Sequence, residues 1–97
     1  MRRVLYHPKV PGEVHEFIAH YESISGDLGD SFWQELTEAI EYARDYPERH
    51  HFDRTGRRRS DLKRFPVHIL FRVFPDMIRV TAIRHDRQDP GYGSRRK

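Results

Sequence analysis

Ninety-seven residues, 36% apolar and 12% aromatic, suffice for one compact domain with one core and leave no room for a second. The chain contains no cysteine, which excludes disulfides, thiolate metal sites and cysteine nucleophiles and leaves His and carboxylate chemistry. Net charge is only +3, but residues 1–48 carry four Lys/Arg against ten Asp/Glu and residues 49–97 carry fourteen against five, so the halves stand at −6 and +9. A basic half attracts polyanions, and nucleic acid is the commonest of these in a cytoplasm; alternatively the two halves satisfy each other across the fold.

The arginines of residues 1–5 are not followed by the apolar run of a signal peptide, and no stretch has the length and apolarity of a membrane span, so a cytoplasmic protein without membrane attachment is expected. Residues 2–6 (Arg-Arg-Val-Leu-Tyr) are β-branched and aromatic and end at His7-Pro8, which predicts a first strand. Pro11 suits the first turn of a helix, and Val14, Phe17, Ile18, Tyr21 and Ile24 then follow one helical face. Residues 25–30 read as a turn-rich break. Asp30 or Ser31 caps a second helix, whose apolar stripe is Phe32, Trp33, Leu36, Ala39, Ile40 and Ala43 and whose stop is Pro47. After a polar loop, residues 57–65, 67–74 and 77–85 carry strand patterning, punctuated by Pro66 and Pro75-Asp76. The predicted fold is a single α+β domain over residues 1–97, ordered β-α-α-β-β-β, with an antiparallel sheet and a helical hairpin on one face.

Alternation along the strands assigns Leu62, Val67, Ile69, Phe71, Val73, Ile78, Val80 and Ala82 to the helix side. The opposite side then holds Arg57, Arg59, Asp61 and Lys63, followed by His68, Leu70 and Arg72, and by Arg79, Thr81, Ile83, His85 and Arg87. Asp61 is the only carboxylate in that set, a bias that points to a polyanion site, although cations on exposed strands also serve to discourage edge pairing. Leu70 and Ile83 are out of place on an open face, which implies that the C-terminal segment or a partner chain covers them. No His-x-x-x-His or His/Asp cluster has ligand spacing, so no metal or other cofactor is expected. His68 and His85 stand apart from the other histidines because parity puts them beside arginines. A neutral imidazole there can accept a proton while Arg72 or Arg87 holds a phosphate, and Tyr92 can stack on a base or donate a proton: the minimum apparatus for metal-independent RNA cleavage.

The segments Leu62-Lys63-Arg64-Phe65-Pro66-Val67-His68-Ile69-Leu70-Phe71-Arg72-Val73 and Ile78-Arg79-Val80-Thr81-Ala82-Ile83-Arg84-His85-Asp86-Arg87-Gln88-Asp89-Pro90-Gly91-Tyr92 resemble toxins of the RelE/ParE superfamily, as does the chain order over its whole length. The resemblance implies the toxin of a type II toxin–antitoxin system, neutralised by a cognate antitoxin and touching operator DNA only as the toxin–antitoxin complex. It also implies one of two targets. ParE-like members bind and poison DNA gyrase, whereas RelE-like members are endoribonucleases that cut mRNA on the ribosome. His68 with Arg72, and His85 with Arg87, resemble the ParE-like pattern; Arg57, Arg59, Lys63 and Arg64, with Arg87 and Tyr92, resemble the RelE-like one. His68 occupies a place where RelE-like enzymes keep an arginine, which tilts the reading toward ParE. On this resemblance His85, Arg87 and Tyr92 would carry any reaction, and Arg57, Arg59, Lys63, Arg64, His68, Arg72 and Arg79 would bind the target. Leu70 and Ile83 would meet the antitoxin. A small nucleic-acid-binding module is the remaining alternative.

Overall fold

A computed structural model describes residues 2–97. The elements in chain order are β1 (Arg3–Tyr6), α1 (Val10–Ile24), α2 (Gly26–Asp45), a 3-10 turn (Pro47–Arg49), β2 (Arg58–Asp61), β3 (Val67–Phe74) and β4 (Met77–His85). This is the β-α-α-β-β-β order the sequence predicts, and β3 and β4 have the bounds that Pro66 and Pro75-Asp76 set. Strands β2, β3 and β4 form an antiparallel meander, while β1 lies on the far side of β4 and runs parallel to it, giving the order β1-β4-β3-β2. The sheet is therefore mixed rather than wholly antiparallel. Short turns force antiparallel pairing on the last three strands, whereas β1 reaches the sheet through the helical hairpin, which imposes no such direction.

The two helices are separated by one extended residue, not by a six-residue break. Ser25 sits at φ −161° and ψ 149°. Its amide closes α1 on the carbonyl of Tyr21 at 3.0 Å, and its hydroxyl accepts from the amide of Leu28 at 3.0 Å. That side chain satisfies an orphan donor of the new helix, so α2 begins at Gly26 instead of after Asp30 or Ser31. Gly29 is helical and buried because α1 passes so close that a Cβ there would overlap the Glu22 side chain.

The core lies between the hairpin and one face of the sheet. Val10 and Tyr21 of α1 and Phe32, Leu36 and Ile40 of α2 pack on Val67, Ile69, Phe71, Ile78 and Val80. The rings of Tyr21, Phe32 and Phe65 meet with centroids 4.8–5.3 Å apart; fully burying a side chain such as Phe32 contributes about 2–3 kcal/mol. Ile24 and Trp33, placed on the apolar stripes by spacing, are 63% and 51% exposed at the margin. Strand β2 ends at Asp61, so Lys63 and Arg64 are not strand residues. They lie in the turn to β3, where both amides and the Arg64 guanidinium donate to the Glu35 carboxylate of α2. Burial pushes the Glu35 carboxyl up, but those hydrogen bonds and the Arg64 charge outweigh it and hold its pKa below the ordinary value.

Candidate functional site

One extra residue decides which side chains share a surface. Leu70 pairs with Ala82 and Phe71 with Val80, so Thr81 is bulged out of the β3–β4 register. It is buried, and its hydroxyl donates to the carbonyl of Leu70 at 3.3 Å. Before the bulge the predicted parity holds, with Ile78 and Val80 toward the helices and Arg79 outward opposite Arg72. After it the phase reverses. Ile83 pairs with Ile69, is 1% exposed and belongs to the core, which corrects its placement as an exposed partner contact. His85 pairs with Val67 on the helix side, so it does not share a surface with His68. Ala82 and Arg84 take the outward positions instead.

The outward face is an interlocked charge network. His68 is 1% exposed. Its Nε2 accepts from Arg84 Nε at 2.8 Å, which leaves the proton on Nδ1, and Nδ1 donates to Asp86 at 2.7 Å. Burial, with the charges of Arg59 and Arg84 acting against that of Asp86, lowers the His68 pKa and keeps the ring neutral. Arg59 reaches Asp61 at 2.8 Å and Asp86 at 3.6 Å. Arg84 is itself buried, 3.5 Å from Asp53. Asp61, His68 and Asp86 bring donor atoms within 4.8 Å of one another, but Arg59 holds both carboxylates and both His68 nitrogens are engaged, so the trio reads as an ion-pair network before it reads as a metal centre.

The C-terminal segment, residues 90–97, lies across the rest of this face. Gly93, at φ +74°, comes so close to Ala82 that an added Cβ would stand 2.9 Å from the Ala82 methyl. Arg84 donates to the carbonyls of Pro90 and Tyr92 at 2.6 and 3.3 Å, Arg57 to that of Arg96 at 2.6 Å, and Arg79 to that of Lys97. Arg96 returns one bond to the carbonyl of Thr81 at 3.0 Å and forms an ion pair with Glu13 at 2.6 Å. Glu13, buried on α1, also accepts from the amide of Ile83 at 3.0 Å and from the Tyr92 hydroxyl. The cover over Leu70 is therefore part of this same chain, and Leu70 is 0% exposed.

These contacts place every predicted site residue. His85, Arg87 and Tyr92 do not converge as a base, a phosphate clamp and an acid. The ring of His85 accepts from the amide of Arg87 at 3.0 Å, and Arg87 itself is exposed in the turn after β4. The Tyr92 hydroxyl is given to Glu13, and that hydrogen bond, with burial, raises its pKa. His85 and Tyr92 do border one groove, but with Glu13, Glu16 and His20 instead of arginines. Arg57, Arg59, Arg84 and Arg96 are spent on internal partners, and His68 is enclosed. Arg72 and Arg79 are half-buried and directly opposite each other, without a side-chain carboxylate on either among the described residues, and Arg79 holds the Lys97 oxygen. Sequence reasoning missed Glu13, Asp53, Arg84 and Arg96, because each is defined by contacts far along the chain. Only Glu13 carried a signal, as a carboxylate one residue ahead of Val14 on the apolar face of α1.

Among the described residues no helix is long and apolar enough to cross a membrane. No family model matches the chain, and no curated protein matches it by sequence. A solved chain of the "Chromosomal ParDE TA system from P. aeruginosa" superposes on it with a TM-score of 0.74, covering 88% of this chain and 96% of that one at 19% identity. The chain thus shares the fold of that ParDE chain, the architecture that the sequence resemblance implies.

Proposed function

We propose that this chain is the toxin of a type II toxin–antitoxin pair and that it acts in the ParE manner, by binding and poisoning DNA gyrase, without chemistry of its own. The observation that carries this reading is the closed outward face. Arg57, Arg59, Arg84 and Arg96 are consumed by Asp53, Asp61, Asp86, Glu13 and a tail carbonyl, both ring nitrogens of His68 are engaged and the Tyr92 hydroxyl is bound to Glu13. Arg72 and Arg87, which form no ion pair among the described residues, therefore have no free base and acid converging with them. A general acid needs a free proton aimed at the reacting atom, and a phosphate clamp needs unpaired cations.

An antitoxin contact at Leu70 and Ile83 is withdrawn, since both are enclosed. The apolar surface open to a neutralising chain is the groove between β1, α1 and α2, lined by Val4, Tyr6, Val10, Trp33 and Ile40, where Tyr6 is 44% and Trp33 51% exposed. A ribonuclease reading draws on the groove shared by His85 and Tyr92, but Glu13 and Glu16 there repel a phosphate.

Controlled expression with labelled thymidine and labelled amino acids separates the two. Early loss of DNA synthesis with induction of the DNA-damage response, retained in His85→Ala, supports gyrase binding. Prompt loss of translation that His85→Ala lowers by roughly 100-fold in rate would establish catalysis instead.

A further inference from the structure

We propose a second, unassigned binding site: a nucleic-acid phosphate groove where the β1–α1 turn faces the C-terminal segment, formed by His7, Lys9, Arg95 and Lys97 and extended along the sheet by Arg79 and Arg72. The wall of this groove is His7 and Lys9 on one side and residues 91–97 on the other, and it includes no carboxylate side chain. Arg79 joins it physically, because its guanidinium holds the carbonyl of Lys97.

Three observations support a ligand that is anionic and extended. The first is that these cations have no side-chain carboxylate as a partner, Arg79 being engaged only by the Lys97 oxygen. Among the described residues, Lys9, Arg72, Arg79, Arg95 and Lys97 form no ion pair with a side-chain carboxylate, whereas Arg59, Arg84 and Arg96 all do. The second is the direct pairing of Arg72 with Arg79 across β3 and β4. Like charges placed opposite each other on a sheet are destabilising, so an anion lying over the pair would relieve a repulsion that the Lys97 oxygen offsets at Arg79 alone. The third is the fixed geometry of the groove. His7 is held by its amide bond to Val80 at 2.9 Å and by accepting the amide of Lys9 on Nδ1 at 3.1 Å, while the opposite wall is anchored through Arg96 and Gly93. Cations spaced along one rim and continuing onto the sheet match a repeating phosphate backbone better than a single small anion, and they give no means of reading bases. The groove itself, His7, Lys9, Arg95 and Lys97, rests on other residues than those discussed for the toxin activity and is tested at Lys9 and Arg95; only its extension along the sheet, Arg79 and Arg72, is shared with that reading.

The test uses the purified full chain and a short fluorescein-labelled DNA duplex, followed by anisotropy over a NaCl series. Single-stranded RNA and inorganic polyphosphate serve as competing probes. Each phosphate contact contributes a salt slope of about 0.9, or about fivefold in affinity at roughly 0.15 M salt. Lys9→Gln and Arg95→Gln should each weaken binding about fivefold and reduce the slope by about one, equally for unrelated sequences, and should act together in the double variant. Arg49→Gln and Arg54→Gln, exposed cations elsewhere, should leave affinity within about twofold; thermal unfolding of each variant checks that folding is intact. Three results would overturn the proposal: no binding of duplex or RNA by the parent, equal losses in groove and control variants, or binding of polyphosphate alone.

Discussion

Replacing Glu13 with alanine is the most informative single perturbation of this fold. The carboxylate answers the amide of Ile83 at 3.0 Å and the Arg96 guanidinium at 2.6 Å, and the two charged side chains are only 9% and 11% exposed. Alanine leaves a buried amide unanswered, at about 1–3 kcal/mol, and a nearly buried cation unpaired, at about 3–5 kcal/mol. Arg96 keeps its bond to the carbonyl of Thr81 and some exposure to water, and the Tyr92 hydroxyl turns toward solvent, so the low ends apply. The expected loss is about 4 kcal/mol, which for a domain of this length lowers Tm by roughly 15–30 °C. Thermal and guanidinium unfolding followed by circular dichroism measure it. Glu13→Gln keeps an acceptor for Ile83 and should lose about half as much. Glu13→Ala combined with Arg96→Ala should lose less than the sum of the singles, because the second change removes the stranded charge. A Glu13→Ala protein within about 1 kcal/mol of the parent would refute the idea that this carboxylate fastens the tail to the helix.

Gly93→Ala puts a Cβ 2.9 Å from Ala82 at a backbone φ of +74°, and should cost about 1–3 kcal/mol in denaturant unfolding and raise amide exchange across residues 91–97. Ser25→Ala removes the cap of α2 and should cost about 1 kcal/mol by the same assay, with Ser25→Asp restoring most of it. The lowered pKa of His68 means that the unfolded chain binds its proton first, so stability should be complete above the ordinary value of 6.5 and fall as pH drops below it; His68→Gln should flatten that segment of a pH–stability curve. Glu35 and Asp53, also lowered, should add a second decline on further acidification, in the carboxylate range.

Much of the architecture is legible in the sequence, because it is written in short-range physics. Prolines 66 and 75 bound β3 and β4, Val67, Ile69, Phe71 and Val73 repeat at the strand period with Leu70 as the one apolar exception between them, and Phe32, Leu36, Ile40 and Ala43 repeat at the helical period. Val80-Thr81-Ala82-Ile83 is different. Ala82 is small enough for either face, so the alternation continues through it on paper, and only an isoleucine at 83 on the supposed open side betrays the bulge. Gly26 and Gly29 misplace the start of α2 because glycine usually marks a turn, whereas Gly29 answers the close approach of Glu22. The site is less legible than the fold. A row of arginines reads as an open cationic face when each is taken alone, but Arg84 and Arg96 find Asp53 and Glu13 at sequence separations that no local pattern encodes. Glu13 and Glu35 of the acidic half thus answer Arg96 and Arg64 of the basic one, whereas Asp53, Asp61 and Asp86 answer arginines of their own half, and much of the outward face is closed as a consequence.

The parallel pairing of β1 with β4 orders events in time. Arg3 to Tyr6 align with Met77 to Val80, so β1 has no ladder partner until β4 has been made. Through most of translation the helical hairpin can form on local bonds alone, with Phe32 and Leu36 uncovered, while the sheet that buries them is still incomplete. Loop closure over so long a separation is slow compared with closing the β3–β4 turn. The meander closes on short turns while β1 joins across the longest separation, so the apolar stripe of the hairpin stays exposed until β3 and β4 have been made.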